Sequence, residues 1–338
     1  MKNNNLFYNG LGMPLDGIRR KAFNEFNELI YQGNIVVESV DDCFCRHTNF
    51  QKLSRFDRYG LPFGTQICRN CGLISQTIKM CEESLDIFYN QIYWPLNMDT
   101  YNPEKYYTTS TSIKDFIDFI HEHIDFNQNI SIAEVGCSNG IRLEHLSNYL
   151  KQDFNVEMFG CDFSERVLSL AKDKGIKIFN GGMEKLLGNA PYDILILSHV
   201  FEHFIDLKDA LHLIDQLTHD DSLVYVEVPG VIDLVNKKEY MYDYQDYTVL
   251  AHIHNFSLAT LSNVFKTQGF FLEKGVDFVR AIFRKKVKII QNTSEQPYLE
   301  IMEALNIANK RNQKLLFMIN HPIRKYIKGI YKALLGKS

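Results

Sequence analysis

The sequence has no long apolar run and no leader-like start. Its 338 residues contain no stretch of the roughly 18 apolar residues that a membrane-spanning helix needs. The first five residues, Met1-Lys2-Asn3-Asn4-Asn5, lack an apolar core followed by a small-residue cleavage site, so a secretory leader is not indicated. We therefore expect a cytoplasmic protein whose cysteines stay reduced.

The chain also lacks a strong net charge, although its charge is unevenly placed. The formal net charge is −4, which argues against wholesale nucleic-acid binding. Residues 284–338, however, hold 12 Lys and Arg against three Asp and Glu. The length, with 45% hydrophobic residues, predicts about two domain-sized units with a sizeable core.

Four of the seven cysteines form two close pairs near the N-terminus. Cys43 and Cys45 make the first pair, and Cys68 and Cys71 make the second. Two such pairs are typical of a structural zinc site that holds a small ribbon together and leaves no open position on the metal. The first pair is one residue short of the usual spacing, so His47 is an alternative to Cys45. Four buried, reduced cysteines are the plainer interpretation.

A glycine turn follows the short apolar run at residues 130–133. Glu134, Gly136 and Gly140 lie between this predicted strand and a helical pattern. Two glycines four residues apart let the backbone turn sharply and approach a ligand, with helix-terminal N–H groups facing it. The third glycine of the dinucleotide fingerprint is absent, which favours a ligand without a pyrophosphate.

Strand and helix patterns then alternate up to residue 228. Units of this length predict an α/β fold, with a parallel sheet covered by helices on both faces. Ligands of such sheets bind outside the carboxyl ends of the strands. Asp162 ends the second strand and follows Gly140 by 22 residues, close to the spacing at which an acidic residue binds ribose hydroxyls. Residues 182–184 and 198–203 are predicted at the same edge.

These segments resemble the cofactor-binding motifs of class I S-adenosylmethionine-dependent methyltransferases. The resemblance rests on Glu134-x-Gly136-x-x-x-Gly140, on Asp162, and on the run from Ser198 through His199, Val200, Phe201, Glu202 and His203 to Phe204. With the cysteine pairs, the layout is similar to sugar methyltransferases that carry an N-terminal zinc-binding domain. It implies a Rossmann-like seven-stranded sheet completed by an antiparallel hairpin, and a substrate among nucleotide-linked deoxysugars or surface glycans.

The resemblance also implies which residues bind S-adenosylmethionine. The glycine turn would hold the methionine part, Asp162 the ribose, and the residues after the second and third strands the adenine. Ser198 and His199 would close the far side of the cofactor. The full set of expected contacts is Glu134, Gly136, Cys137, Ser138, Gly140, Asp162, Phe163, Met183, Glu184, Ser198, His199 and Tyr106.

His252 matches a histidine that works beside a tyrosine in the resembling sugar C-methyltransferases. Ala251 stands where those enzymes have a glutamate, so abstraction of a proton from carbon is disfavoured. A sugar hydroxyl needs only a neutral imidazole as its base, and O-methylation is therefore favoured over C-methylation. We expect His252 to act as the base, with His203 second, and Tyr107 or Tyr106 as the tyrosine.

Two histidine motifs leave alternatives open. The spacing of His252 and His254 also permits metal binding, but no third ligand is apparent nearby. Glu202 and His203 are either a solvent-exposed pair at a helix start or part of the wall of the site, and their place after a strand's carboxyl end favours the wall.

The predicted organisation has four parts. An N-terminal helix and zinc ribbon occupy residues 1–80, a tyrosine-rich connector over the cleft 81–112, the methyltransferase domain 113–285, and a basic helical tail 286–338. An amphipathic helix at residues 323–335 suits peripheral contact with an anionic membrane, a second subunit or the protein's own core.

The sequence thus predicts a methyltransferase that modifies a sugar of a nucleotide-sugar or surface-polysaccharide precursor. A small-molecule or glycan substrate is expected, DNA is not, and a homo-oligomer is left open. The tail would place the protein at the inner face of the membrane if it binds lipid. The alternatives are an RNA or protein methyltransferase that uses the ribbon for target recognition, and a non-catalytic zinc-ribbon scaffold.

Overall fold

The computed structural model describes most of the chain. The described residues are 13, 15, 17–100, 113–126, 129–286 and 290–320. Tyr106, Tyr107 and the amphipathic segment at residues 323–335 lie outside them. Within these ranges, no helix is both long and apolar enough to cross a membrane.

The N-terminal part combines one long helix with short antiparallel strands. Helix α1 (Gly17–Tyr31) buries Ala22 and Phe26. The strands are β1 (Val37–Ser39), β2 (Phe50–Lys52), β3 (Thr65–Cys68), β4 (Ile74–Gln76) and β5 (Ile78–Met80). β1 pairs with β5, whereas β2, β3 and β4 form an antiparallel ribbon.

The described part of the tyrosine-rich connector, up to residue 100, folds as a helical segment against α1. It comprises α2 (Leu85–Ile87), a π-helix (Phe88–Tyr93) and α3 (Trp94–Met98). Phe88 is fully buried and meets Phe26 edge-on, with ring centroids 6.0 Å apart. Helix α4 (Ile113–Ile120) then leads into the central sheet. A π-helical turn is uncommon and often marks a functional site.

Eight further strands follow among the described residues, and seven of them form the central sheet. They are β6 (Asn129–Val135), β7 (Asn155–Asp162), β8 (Lys177–Asn180), β9 (Tyr192–Ser198), β10 (Thr218–Glu227), β11 (His254–Asn255), β12 (Phe271–Val276) and β13 (Arg280–Arg284). All except β11 form one seven-stranded sheet in the order β12-β13-β10-β9-β6-β7-β8. Pairing is parallel from β10 to β8, and β12 and β13 are antiparallel. The predicted seven-stranded α/β sheet with its hairpin is confirmed.

Helices cover both faces of this sheet, among them α5 (Ile141–Leu150), α6 (Glu165–Leu168), α7 (Leu207–Leu217) and α9 (Leu258–Lys266). Two further helices, α8 (Tyr244–Tyr247) and α10 (Pro297–Asn320), pack in the core that they share with the ribbon. Ser257 caps α9 by accepting a hydrogen bond from the backbone N–H of Thr260 at 3.2 Å. The pattern over residues 165–174 predicts one helix, but α6 ends at Leu168 and a 3₁₀ turn follows.

Strand β11 ties the segment after the fifth parallel strand to the N-terminal ribbon. His254 pairs with Ser75 and Asn255 with Ile74, so the small sheet runs β11-β4-β3-β2. The same segments share a core with α10. Its buried members are Leu53, Ile67, Ile74, Val231, Leu234, Tyr244, Tyr247, Ile301, Leu305 and Ala308. The ribbon therefore fixes the position of the residues around His252.

Candidate functional site

The turn after β6 requires glycine at two positions. Gly136 and Gly140 have φ angles of +65° and +70°, in the left-handed region. A Cβ on Gly136 would lie 2.6 Å from Cγ2 of Val200, and one on Gly140 would overlap Cδ1 of Ile176. The backbone of the turn is thus packed tightly from behind.

Asp162 lies beside this turn at the end of β7. Its Oδ2 accepts a hydrogen bond from the Ser138 N–H at 3.0 Å, and its Oδ1 accepts one from the Ser164 N–H at 2.9 Å. Burial raises the pKa of Asp162, and these N–H donors oppose the rise. Cys137 is buried under the turn, with its N–H bonded to the carbonyl of Cys161 at 3.0 Å. The turn and the predicted ribose ligand are held as one unit.

Glu134 contributes a buried acceptor at the foot of the turn. Its Oε1 pairs with Nη1 of Arg142 at 2.5 Å, while Oε2 has no hydrogen-bond partner among the described residues. Burial raises the pKa of Glu134, and the Arg142 guanidinium opposes that rise. A buried, unpartnered carboxylate oxygen fits the ammonium group of a bound methionine moiety. The sequence prediction missed Arg142, although it is the second residue of α5.

The predicted adenine-side residues also lie at this edge. Phe163 is 52% exposed, and its ring is parallel to that of Tyr89 at a centroid distance of 6.2 Å. Met183 is buried and Glu184 is exposed. A Cβ on Gly182 would lie 3.3 Å from the Phe163 ring, so the two loops adjoin. Phe163 leaves an apolar face open to a flat ligand.

Ser198 and His199 are fixed by Glu227. The Ser198 hydroxyl donates to Oε2 of Glu227 at 3.4 Å, and the His199 N–H donates to its carbonyl at 2.7 Å. Glu227 also accepts hydrogen bonds from Tyr225 and Arg280, each at 2.9 Å. His199 has a φ of +55° and an exposed imidazole. Glu227 therefore holds this wall of the cleft in place, while the imidazole of His199 remains accessible.

Glu202 is the centre of a histidine cluster. Its side chain is 1% exposed, and its Oε1 lies 3.7 Å from Nδ1 of His199, 3.8 Å from Nε2 of His203 and 3.9 Å from Nε2 of His252. Burial alone would raise the pKa of Glu202, but the three imidazoles outweigh it and lower the pKa to about 2. The interpretation of Glu202 as solvent-exposed is wrong.

The two inner histidines are largely buried, with side chains that are 12% exposed in His203 and 18% exposed in His252. Burial, reinforced by the neighbouring His203, lowers the pKa of His252 to about 3. Burial also lowers the pKa of His203. Tyr89 contacts Nδ1 of His203 through its hydroxyl at 3.1 Å, and the rings of His203 and His252 meet edge-on at 5.0 Å. The two imidazoles are neutral near pH 7, as a proton acceptor must be.

Tyr89, which the sequence did not single out as the partner tyrosine, contacts this cluster. Tyr106 and Tyr107 lie outside the described residues, so their predicted role stays a prediction. Tyr89 comes from the π-helix, which turns its hydroxyl towards His203. Only the general richness in tyrosine at residues 81–112 pointed to it, since the segment has no clear period.

His252 is positioned by the N-terminal part of the chain. Asp57 is fully buried and accepts hydrogen bonds from the N–H groups of Tyr59, Leu61 and Leu250 at 2.9, 2.9 and 3.1 Å. Arg58 donates to the carbonyl of Thr248 at 3.2 Å. Burial raises the pKa of Asp57 to about 7 against the effect of these N–H donors. The loop before His252 is therefore clamped from the ribbon side.

The four predicted cysteines come together in the ribbon. The sulfur of Cys43 lies 3.5 Å from that of Cys71, and the sulfur of Cys45 lies 3.6 Å from that of Cys68. All four lie within 4.8 Å of one another. A Zn–S bond of about 2.3 Å places the sulfurs of a tetrahedral site about 3.8 Å apart, so the set fits zinc. His47 is exposed, and its Nδ1 contacts the carbonyl of Cys45 at 3.1 Å instead.

Comparison with known proteins finds similarity to methyltransferases. Residues 107–274 match the family model described as a methyltransferase domain. The chain is 22% identical over 258 residues to the C-methyltransferase NovU of Streptomyces niveus, covering 69% of this chain and 57% of that protein. It is 29% identical over 104 residues to a malonyl-[acyl-carrier protein] O-methyltransferase of Bacillus anthracis, covering 29% of this chain and 38% of the relative.

The similarity to solved structures is low. An S-adenosylmethionine-dependent methyltransferase from Mesorhizobium loti is 14% identical, with a TM-score of 0.39, and the alignment covers 49% of this chain and 96% of that one. The chain spans only part of the length of both curated relatives. Residues 107–274 nevertheless match the model of a methyltransferase domain and contain the parallel strands β6 to β10, and this segment belongs to a class I S-adenosylmethionine-dependent methyltransferase domain.

Proposed function

We propose that the chain transfers a methyl group from S-adenosylmethionine to a hydroxyl of a sugar in a nucleotide-linked or surface-polysaccharide precursor. The observation that carries this proposal is the cluster of Glu202, His203 and His252. It lies at the carboxyl ends of the parallel strands, on the same edge as the glycine turn. A domain of this family supplies the methyl donor, and the cluster offers polar groups for an acceptor hydroxyl.

The chemistry needs a donor, an acceptor and a route for one proton. Bound S-adenosylmethionine supplies an electrophilic methyl on a sulfonium. A new O–CH₃ bond forms as the S–CH₃ bond breaks, its electron pair stays on sulfur, and the hydroxyl proton leaves the acceptor. His252, with His203 second, is the predicted acceptor of that proton. Alignment of the two reactants supplies much of the rate.

The proposed cofactor site comprises residues around the glycine turn. Glu134 would accept from the amino group, since its Oε2 lacks a partner among the described residues. Asp162 would accept from ribose hydroxyls, because its two oxygens accept from backbone N–H groups and still have lone pairs for further donors. Phe163 would cover one face of the adenine, and Met183 would border its edge.

The preference for oxygen over carbon rests on Ala251. The printed names of the relatives include one C-methyltransferase and one O-methyltransferase, so they favour neither atom. Removing a proton from carbon requires a strong base, whereas the imidazoles of this cluster are weak bases that remain neutral. A hydroxyl is the acceptor that suits them.

A structural zinc ion in the ribbon is part of the same proposal. Cys43, Cys45, Cys68 and Cys71 would be its four ligands, which leaves no open position for chemistry. The ion would stabilise the ribbon, and through β11 it would fix the segment that carries His252. Action in the cytoplasm, and contact of the basic tail with a membrane or a second subunit, complete the proposal.

The decisive experiment measures cofactor binding and the fate of a labelled methyl group. Calorimetry should show saturable binding of S-adenosylmethionine, and its absence would overturn the enzyme proposal. The protein and labelled cofactor are then incubated with an extract from a strain that lacks the gene. Mass spectrometry should find the label on a saccharide oxygen; label on RNA or protein would assign the alternative substrate, and label on carbon would overturn O-methylation.

A further inference from the structure

The geometry points to a second metal site, in which Glu202, His203 and His252 bind one divalent first-row transition-metal ion inside the acceptor side of the cleft. Each residue offers one ligand atom, and the three atoms lie within 4.8 Å of one another. The site is separate from the cysteine cluster, which comes from the ribbon. One carboxylate and two imidazoles are a donor set that such ions take in proteins.

The buried carboxylate of Glu202 has three imidazoles around it at 3.7–3.9 Å but no direct hydrogen bond in the described part of the chain. It is 1% exposed, and neither of its oxygens has a hydrogen-bond partner in the described part of the chain. Leaving a buried carboxylate without a partner costs on the order of several kcal/mol. Buried carboxylates are therefore paired with a cation or bound to a metal. An ion held by Oε1 would remove this cost.

The distances fit a shared ion better than direct hydrogen bonds. Nε2 of His203 and Nε2 of His252 lie 3.8 and 3.9 Å from Oε1 of Glu202. These separations are too long for hydrogen bonds, which have heavy-atom distances of about 2.7–3.2 Å. Ligand atoms that each lie about 2.1 Å from one ion are roughly 3.0–3.5 Å apart, so a small contraction completes the site.

The orientation of His203 supports the same arrangement. Its Nδ1 contacts the Tyr89 hydroxyl at 3.1 Å, and its Nε2 is directed towards Glu202. Metal-bound histidines commonly use the second ring nitrogen for such a hydrogen bond, which fixes the ring and leaves the first nitrogen as ligand. Tyr89 has this orienting role here. His252 contributes its Nε2 from a loop that Asp57 clamps.

Three protein ligands leave positions open for a substrate oxygen. The role of the ion rests on the proposed function, although its binding does not. A sugar hydroxyl bound to the ion loses its proton to water more readily, because the cation stabilises the alkoxide. The O–H bond breaks before or during formation of the O–CH₃ bond. In the metal-bound protein His252 is a ligand that positions the ion and water takes the proton, whereas His252 is the proposed proton acceptor in the protein without the ion.

Mn²⁺ tests the site without competing strongly for the cysteines, because it prefers oxygen and nitrogen ligands to thiolates. The full-length protein, purified with its zinc, is titrated with Mn²⁺ in a calorimeter. We expect one saturable Mn²⁺ site in the wild type and a loss of affinity of at least about ten-fold in Glu202→Gln and His252→Ala, since each removes one of three ligands. After dialysis against zinc, the wild type should hold two zinc equivalents, and each of these two variants should hold one.

The matched control is His254→Asn, which removes a buried imidazole from the same segment but not from the cluster. It should bind Mn²⁺ like the wild type. Wild-type protein without a saturable Mn²⁺ site and with a single zinc equivalent would overturn the inference, as would equal binding by Glu202→Gln. S-adenosylmethionine binding is measured on the same samples. Metal binding without cofactor binding would overturn the proposed function alone, and the reverse would overturn the metal site alone.

Discussion

Nε2 of His252 lies 3.9 Å from the carboxylate of Glu202, although 50 residues separate them in the chain. Ala251 leaves His252 without an acidic neighbour in sequence. Glu202 supplies that acid in space, from the turn after β9. Because β11 joins the ribbon, the N-terminal part of the chain brings the two residues together.

Removal of either member of this pair should strongly reduce turnover without affecting cofactor binding. Glu202→Gln and His252→Ala should each lower kcat by about 10²–10⁴-fold, the range for loss of a group that assists proton transfer. The affinity for S-adenosylmethionine should stay within about two-fold, since neither residue belongs to the glycine turn. Labelled-methyl assays and calorimetry on the same preparations measure both quantities.

His145→Ala is the control for this prediction, because it removes an exposed imidazole from α5. It should retain both turnover and affinity. Normal turnover in His252→Ala would remove that residue from the reaction. A parallel loss of cofactor affinity would instead assign it to the cofactor site.

Two variants should show whether Cys45 or His47 is the fourth zinc ligand of the ribbon. Cys45→Ser should lose zinc and lower Tm by several degrees, because a structural site with three ligands no longer holds the ribbon closed. His47→Ala should keep one zinc equivalent in the ribbon and the wild-type Tm, since His47 is exposed and its Nδ1 contacts only the carbonyl of Cys45. Zinc content by mass spectrometry and thermal unfolding, with and without chelator, provide the measurements. Zinc loss in His47→Ala alone would reverse the assignment.

The sequence predicted the central sheet because its signals are local. The apolar runs of β6 and β9, and the helices between the strands, each show their period within a few turns. The glycine turn and Asp162 were identifiable for the same reason, since the spacing along the chain sets their separation at one sheet edge. The confirmed parts are the seven-stranded sheet and the methyltransferase class of the domain.

The histidine cluster was only partly predictable because its members come from distant segments. Glu202 and His203 were recognised as a pair, and His252 as a candidate, but no local pattern shows that they meet. Strand β11 has only two residues, too few for a periodic signal, and yet it determines where His252 lies. Tyr89 was hidden for a similar reason, since a π-helix breaks the 3.6-residue period.

Asp57 should make the stability of the protein depend on pH. Its pKa is about 7 in the folded protein and lower when the chain unfolds, so the folded state binds a proton more tightly. The free energy of unfolding should therefore fall as pH rises from about 4 to 7, by on the order of 1–4 kcal/mol. Asp57→Asn cannot ionise and should lack this part of the dependence. Denaturant unfolding at pH 5 and pH 8 measures how the free energy of unfolding depends on pH in the wild type and in Asp57→Asn. The contribution of Asp57 is the difference between the two proteins, and an equal pH dependence in both would contradict the prediction.

The glycine turn gives the sharpest test of the cofactor site, through Gly140→Ala. The added Cβ would overlap Cδ1 of Ile176, and alanine at a φ of +70° is strained. We expect the affinity for S-adenosylmethionine to fall by at least about ten-fold, since a left-handed alanine alone costs roughly 1–2 kcal/mol. Gly175→Ala is the matched control: its φ is +73°, but no atom lies within 4 Å of the added Cβ.

The clash with Ile176 also predicts a rescue. Ile176→Val removes Cδ1, after which the nearest atom of residue 176 to the new Cβ is Cγ1 at 3.7 Å, an ordinary contact. The single change should cost about 0.5–1.5 kcal/mol of stability and leave cofactor affinity near the wild-type value. The Gly140→Ala/Ile176→Val double variant should regain part of the lost affinity, because the strain of the backbone and a 3.3 Å contact with Cβ of Ala171 remain. Calorimetry on the four variants measures this coupling. Additive losses in the double variant would show that packing behind the turn does not set cofactor affinity.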